Sequence, residues 1–288
     1  MNCADRVPRA NITEGSLATA DVPGEGAYFL AGGTDLFVEI RERLRQVRHL
    51  VNIKRVPGLD QIEWSDQTGL RFGAQVTAGQ LEASGYLNGR YPNLRAALKA
   101  LASIQVRNRA TVVGNVCRAS PSADTIPPLI ADGAVIETYR PGGGRHIPLA
   151  EFFAGPGRTV LEPGEIVIAV TVPPPAQGSH RAYLKHGRRK AMELATVGVA
   201  VSLEVEDGLC TGARVALGAV GPVVLRAPQT EAILVGSRLD AAVLNAAAEQ
   251  AMQECTPISN VRASAEYRRE MVGVLTRRAV MLALEEAA

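Results

Sequence analysis

Three short stretches carry the residue types that can hold a charged ligand against bare backbone. In "FLAGGTDL" an apolar run ends at Gly32 and Gly33 and continues into Thr34, Asp35 and Leu36. Glycines at such a junction permit positive φ and let a phosphate approach peptide N–H groups, so "AGGTD" reads as an anion nest with the Thr34 hydroxyl as an extra donor. The first amides of a following helix would point at the same place with partial positive charge. In "ATVVGN", Thr111, Gly114 and Asn115 read as a second strand-to-loop setting, and "ASPSAD" adds Ser120 and Ser122 as hydroxyl donors and Asp124 as a carboxylate acceptor. Two phosphate-friendly loops separated by a helix are explained more economically by one dinucleotide or diphosphate cofactor than by two unrelated turns. The same residues also build ordinary surface connectors, and Asp35 has to turn away from a phosphate, to cap or to face solvent.

Other chemistries find less support. No Lys follows the glycines in the G-K-[ST] position, and the spacing is not G-x-G-x-x-G. His49, His146, His180 and His186 are scattered, and no Ser/His/Asp or Cys/His constellation can be placed. Cys3, Cys117, Cys210 and Cys255 form no C-x-x-C pair, which leaves neither a zinc ribbon nor an iron–sulfur cluster to propose; free thiols are expected.

The elements that position these loops follow from periodicity. "AYFLAGG" reads as a short strand ending in glycines, and "TDLFVEIRERLRQV" as a helix with Leu36, Ile40, Leu44 and Val47 on one face, capped by Thr34 or Asp35. "HLVNIK" completes a strand, turn, helix, strand unit before Pro57-Gly58. "LRFGAQV" is a strand, Thr77 and Gln80 have capping-box spacing, and "YPNLRAALKALASI" is a helix with Leu94, Leu98 and Leu101 on one face. Residues 107–137, rich in Gly, Asn, Ser and Pro, read as a mostly β region. "EIVIAVTV" is a strand, and Pro173 to Pro175 mark a domain boundary. Beyond it, a hairpin around Asp207-Gly208 and helices over 230–253 and 263–287 predict an α+β tail.

With 288 residues, 47% of them hydrophobic, the chain has material for one large domain or two ordinary ones. A net charge of +2 with scattered basic residues does not favour nucleic acid, and 4% aromatics argue against a stacking platform for bases. No stretch approaches the roughly 20 apolar residues that span a bilayer, and "MNCADRVPRA" lacks a secretory h-region, so a soluble cytoplasmic protein is expected.

Taken in order, "AGGTDL", "TVVGN", "ASPSAD" with "PPLIADGAVIE", "EIVIAVTVP", "YLKHGRRKAMELATVGVAV" and "RASAEYRREMVGVLTRRA" resemble the FAD-binding medium subunits of molybdenum hydroxylases, across nearly the whole chain. Relatives in that family include the flavoprotein subunits of carbon monoxide dehydrogenase, 4-hydroxybenzoyl-CoA reductase and quinoline 2-oxidoreductase and the central domain of xanthine dehydrogenase. The resemblance implies a vanillyl-alcohol-oxidase-type (PCMH-like) FAD-binding domain over 1–176, with α+β subdomains of about 1–56 and 57–176, and a smaller C-terminal flavoprotein domain over 177–288. It implies that Phe29, Leu30, Ala31, Gly32, Gly33, Thr34, Asp35 and Leu36 wrap the FAD diphosphate, with Thr111, Gly114 and Asn115 as the second diphosphate loop. Leu101 would pack on the cofactor, Ser120 and Asp124 would meet its hydroxyls, Val167 would offer backbone near the ring system, and Lys185 would approach the flavin or ribityl end, with Lys54 a further candidate.

Two departures stand out: Val113 replaces a usual glycine of the second loop, and Glu193 replaces a common Asp. The inserted iron–sulfur loop of the 4-hydroxybenzoyl-CoA reductase relatives is missing. The resemblance further implies an electron-transfer role in a dimer of heterotrimers. A small subunit with 2Fe-2S clusters would supply electrons from a molybdopterin large subunit, and an external acceptor would take them. Two other readings use the same residues: a self-sufficient FAD-dependent oxidase or reductase of this fold, and an interaction subunit that has lost the cofactor.

Overall fold

The computed structural model describes residues 27–285; Cys3, the start of the chain and residues 286–288 lie outside them. Strands β1 (Ala27–Leu30) and β2 (His49–Asn52) pair in parallel, flanking a turn and helix α1 (Leu36–Arg41). The helix is six residues long, well short of the stretch to Val47 that the spacing predicts. Arg43 turns to φ +57 and Leu44 is 71% exposed, so Leu44 finds no surface to pack on, and a short helix without burial does not propagate. Asp35 takes the N-cap position with helical backbone angles, but its carboxylate caps nothing.

The next unit is a sheet covered by helices. Strands β3 (Ile62–Ser65) and β4 (Gly69–Gly73) form a hairpin, followed by α2 (Ala78–Ala83), α3 (Pro92–Ala100), α4 (Ile104–Arg107), α5 (Val112–Arg118) and α6 (Ile126–Ala131). The predicted capping box is present: the Thr77 side chain accepts from the Gln80 amide while the Gln80 side chain accepts from that of Thr77. Residues 107–137 correct the sequence reading, since only their last part is strand and the rest is the helices α5 and α6 with the turns that flank them. Val112, Val113 and Val116 are buried on one side of α5, and all six residues of α6 are buried; tertiary burial overrides the low helix propensity of β-branched residues, and Pro127 and Pro128 sit in the first turn, where no amide is needed.

Strands β5 (Val135–Tyr139) and β6 (His146–Pro148), a small hairpin of β7 (Phe153–Gly155) and β8 (Arg158–Thr159), and β9 (Ile166–Val172) complete this unit. Its sheet runs β3-β4-β9-β5-β6, with every pair antiparallel. The last strand thus inserts into the centre and sets Phe72, Val170 and Ile136 side by side, all fully buried.

The C-terminal sheet, β10 (Ser179–His186), β11 (Val197–Glu206), β12 (Leu209–Gly218) and β13 (Leu225–Arg226), is antiparallel in chain order. Its β11–β12 hairpin turns at Asp207 and Gly208, both at positive φ, as the Asp-Gly pair predicts. Side chains alternate between two cores. Val199, Val201, Val215 and Leu217 face helices α7 (Pro228–Leu234), α8 (Ala241–Glu254) and α9 (Ala265–Glu285), whereas Tyr183, Ala200 and Ala216 belong to the core of the preceding unit. Small residues on that second face let α6 lie close: a Cβ on Gly218 would come within 2.9 Å of the Pro127 ring. The helix predicted over 230–253 is two helices, broken near Gly236 at φ +79. Among the described residues, no helix is long and apolar enough to cross a membrane.

Candidate functional site

The first glycine turn is built on contact with peptide groups. Phe29 packs half-buried against the core, Leu30 is buried, and the chain turns at Ala31 to Asp35. Gly33 adopts φ +74 and its carbonyl accepts from the Phe37 amide at 3.0 Å. Gly32 is required for space: a Cβ there would stand 2.1 Å from the Arg109 carbonyl oxygen and 3.0 Å from the Ala110 Cα. The turn therefore rests on the peptide that leads into Thr111. Among the described residues, the N–H groups of Gly33, Thr34, Asp35 and Leu36 donate to no protein acceptor. With α1 so short, these free amides supply the positive character, and a long helix dipole does not.

At the second loop the sequence reading needs correction, because Thr111 opens a helix. Its backbone is extended and its hydroxyl accepts from the Gly114 amide at 3.0 Å, capping α5. A Cβ on Gly114 would come 2.7 Å from that hydroxyl, so glycine protects the cap. The loop is pinned from behind, where the Ala78 amide donates to Ala110 O at 2.8 Å and the Val112 amide to Val76 O at 3.2 Å. Val113 is buried in the core, and Asn115 accepts from the Thr125 hydroxyl at 2.7 Å. Ser120 accepts from the Ser122 amide at 3.3 Å.

Thr125 leads directly to Asp124, which is buried and held by two groups from β10: the Lys185 ammonium at 2.7 Å and the Tyr183 hydroxyl at 3.0 Å. Lys185 also donates to Ala100 O at 3.1 Å, beside the half-buried Leu101 that ends α3. Burial pushes the Asp124 carboxyl above its ordinary range, an effect that the facing ammonium and the two hydrogen bonds oppose. Burial and the neighbouring carboxylate together raise the Tyr183 hydroxyl well above its ordinary value, so it stays a donor. Gly198, opposite Lys185 on β11, leaves room for that hydroxyl, which would sit 3.1 Å from a Cβ there.

One connected path thus runs from the first turn through Arg109 and Ala110 to Thr111, Gly114 and Asn115, then to Asp124, Lys185 and the end of α3. Lys54 is exposed two residues beyond β2, and Val167 is buried in β9 opposite Thr138. Neither makes a side-chain hydrogen bond to this path among the described residues.

Comparison with known proteins gives the site its context. Residues 10–175 match the FAD binding domain in molybdopterin dehydrogenase, and residues 182–283 match the CO dehydrogenase flavoprotein C-terminal domain. The chain belongs to this flavoprotein family. It is 32% identical over 279 residues to the xanthine dehydrogenase FAD-binding subunit of Escherichia coli O157:H7, covering 96% of this chain and 95% of that one. It is 34% identical over 257 residues to the carbon monoxide dehydrogenase medium chain of Hydrogenophaga pseudoflava, covering 89% of each. Among solved structures, the carbon monoxide dehydrogenase of that organism lacking the Mo-pyranopterin moiety superposes with a TM-score of 0.90 at 34% identity, covering 94% of each chain. Quinoline 2-oxidoreductase from Pseudomonas putida 86 superposes at 0.88 with 28% identity, covering 96% of this chain and 95% of that one.

The residues present in this flavoprotein fit its cofactor. A diphosphate needs unpaired N–H donors and close backbone approach, and the Gly32–Leu36 turn supplies both. Cofactor hydroxyls need polar partners, and Thr34, Asn115, Ser120 and Asp124 lie along the path. Sequence reasoning missed Tyr183, Thr125 and the Arg109–Ala110 peptide. Tyr183 was within reach of it, because a residue two positions before Lys185 on one strand shares its face. The other two become visible only when the turns meet in space.

Proposed function

We propose that this chain is the electron-transferring FAD subunit of a molybdenum hydroxylase complex, taking electrons from an iron–sulfur subunit and passing them to an external acceptor. The observation that carries the reading is the seating of the Gly32 turn on the Arg109–Ala110 peptide, which brings free amides and the Thr111 cap to one place. FAD, when bound, supplies reversible redox chemistry.

The chain's own residues bind and orient. Gly33 to Leu36 direct amides at the diphosphate from one side, and Thr111, Gly114 and Asn115 form the other. Ser120 and Asp124 face the cofactor hydroxyls, Phe29 to Ala31 and Leu101 flank it, Val167 offers backbone, and Lys54 stands at the margin. Lys185 holds a positive charge at Asp124, where it favours an anionic reduced flavin within reach. The cofactor domain takes residues 1–176 and the C-terminal domain 177–288.

The assembly is a dimer of heterotrimers in the cytoplasm, with a 2Fe-2S small subunit and a molybdopterin large subunit. Phe37, Val38, Leu44 and Leu50 are large apolar side chains exposed on one small unit, which supports its burial against another subunit. The test is purification of the tagged chain from its native host. Flavin absorption, FAD released by acid, and co-purifying iron–sulfur and molybdenum proteins are expected; a colourless chain that takes up no added FAD refutes the reading.

A further inference from the structure

The two glycine turns lie on parts of the chain that are held very differently. α5 is locked by Val112, Val113 and Val116 in the core, whereas α1 buries none of its residues and exposes Phe37 and Val38. The β1–α1–β2 unit is anchored through Leu30 and Ile53 in the core and through the Gln75 side chain, which donates to the carbonyls of Ile53 and Val56. On the α1 side, one carboxylate makes the connection. Glu39 Oε1 lies 2.9 Å from Arg118 Nη2 at the end of α5, and Glu39 Oε2 accepts from Arg45 Nε. The Arg45 guanidinium stands 5.1 Å above the Tyr28 ring of β1. Gly157 leaves space for Arg118, since a Cβ there would come 3.3 Å from its Nη1. Among the described residues, Glu39–Arg118 is the one ion pair joining residues 27–56 to the rest of the chain.

We propose that Glu39 is a positioning residue that fixes the spacing between the two turns and thereby sets how tightly and how rigidly FAD is held; the proposal rests on the FAD reading above. The reasoning is one of preorganisation. No residue of α1 is fully buried, so beyond the seating of Gly32 the helix is ordered before binding by the Arg45–Glu39–Arg118 bridge, and without it the cofactor must complete that ordering itself. The bridge is asymmetric in charge. Loss of Arg118 leaves Glu39 neutralised by Arg45, but loss of the Glu39 charge leaves two guanidinium groups facing each other, pushing α1 away from α5.

The full chain stripped of flavin and titrated with FAD, followed by flavin fluorescence and visible circular dichroism, tests this. Glu39→Gln is expected to raise the Kd about ten-fold or more and Arg118→Gln about five-fold, with the double variant no weaker than Glu39→Gln alone, as two members of one bridge require. The dichroism of bound flavin should weaken in Glu39→Gln even at saturating FAD. If Glu39→Gln fails to fold, Arg118→Gln carries the same test. Variants that melt earlier yet bind FAD within about two-fold of the wild type, with unchanged dichroism, overturn the proposal and leave the bridge a stability element. A wild-type chain that binds no FAD overturns the cofactor reading as well.

Discussion

Replacing Gly32 with alanine probes the contact on which the site depends. The added Cβ would sit 2.1 Å from the Arg109 carbonyl oxygen and 2.9 Å from its carbon. An ordinary carbon–oxygen contact is about 3.3 Å, so the turn must retreat by roughly 1 Å. Nothing flexible can yield, because the opposing atoms are backbone pinned by Ala110 O accepting from the Ala78 amide at 2.8 Å. Overpacking of this kind costs about 1–3 kcal/mol in stability, and a displacement near 1 Å in a ligand-positioning element can lower binding or turnover about 100-fold. Gly33→Ala offers the contrast. It pays a positive-φ penalty of about 1–2 kcal/mol, but its Cβ meets side-chain atoms only, the Phe37 ring, which is 51% exposed and free to swing away, and the tip of Leu30 at 3.0 Å. Isothermal titration of the apoprotein with FAD, beside thermal melts with and without FAD, separates affinity from stability. Gly32→Ala should lose far more affinity than Gly33→Ala; equal affinities, or Gly32→Ala binding like the wild type, refute the reasoning.

Three further outcomes follow from the same geometry. Thr111→Ala removes the cap on the Gly114 amide and should cost about 1 kcal/mol in urea unfolding, with Thr111→Ser recovering most of it. Asp124→Asn strips a buried ammonium of its counter-charge and should cost about 3 kcal/mol, against about 1 kcal/mol for Tyr183→Phe; equal losses in urea melts would contradict the pairing seen here. Glu165, hydrogen-bonded to Arg145, has its carboxyl lowered from 4.5 to about 2. A depressed folded pKa stabilises the protein above the unfolded value and loses that stability as pH falls toward 2. Glu165→Gln should therefore cost about 1–2 kcal/mol at neutral pH, discounted for the partly exposed arginine, and the gap to the wild type should close between pH 4.5 and 2 in acid-unfolding curves.

Local signals were legible in the sequence and distant ones were not. The Thr77 capping box, the Asp207-Gly208 hairpin and the strand over Ile166–Val172 depend on neighbours within a few residues, and their chemistry is written there. The apolar spacing through Val47 misled because an amphipathic face becomes a helix only when something covers it. Valines in "TVVGN" misled in the opposite sense, since burial of Val112, Val113 and Val116 makes a helix from residues that favour strands. The glycine turns were recognisable, but not that Gly32 would lie against Arg109, 77 positions away. Asp124 and Lys185 were each singled out for the cofactor, and their meeting each other depends on how the C-terminal sheet packs on α6.

A grip made from peptide groups also has a genetic consequence. Arg109 and Ala110 meet Gly32 through a carbonyl and an α-carbon, atoms that almost every codon encodes. Their side chains are free to drift while Gly32 is not. The exposed Arg109 head group is then a site where mutation can change the local surface charge without disturbing the backbone contact that seats the Gly32 turn, so that charge and seating evolve as separate traits.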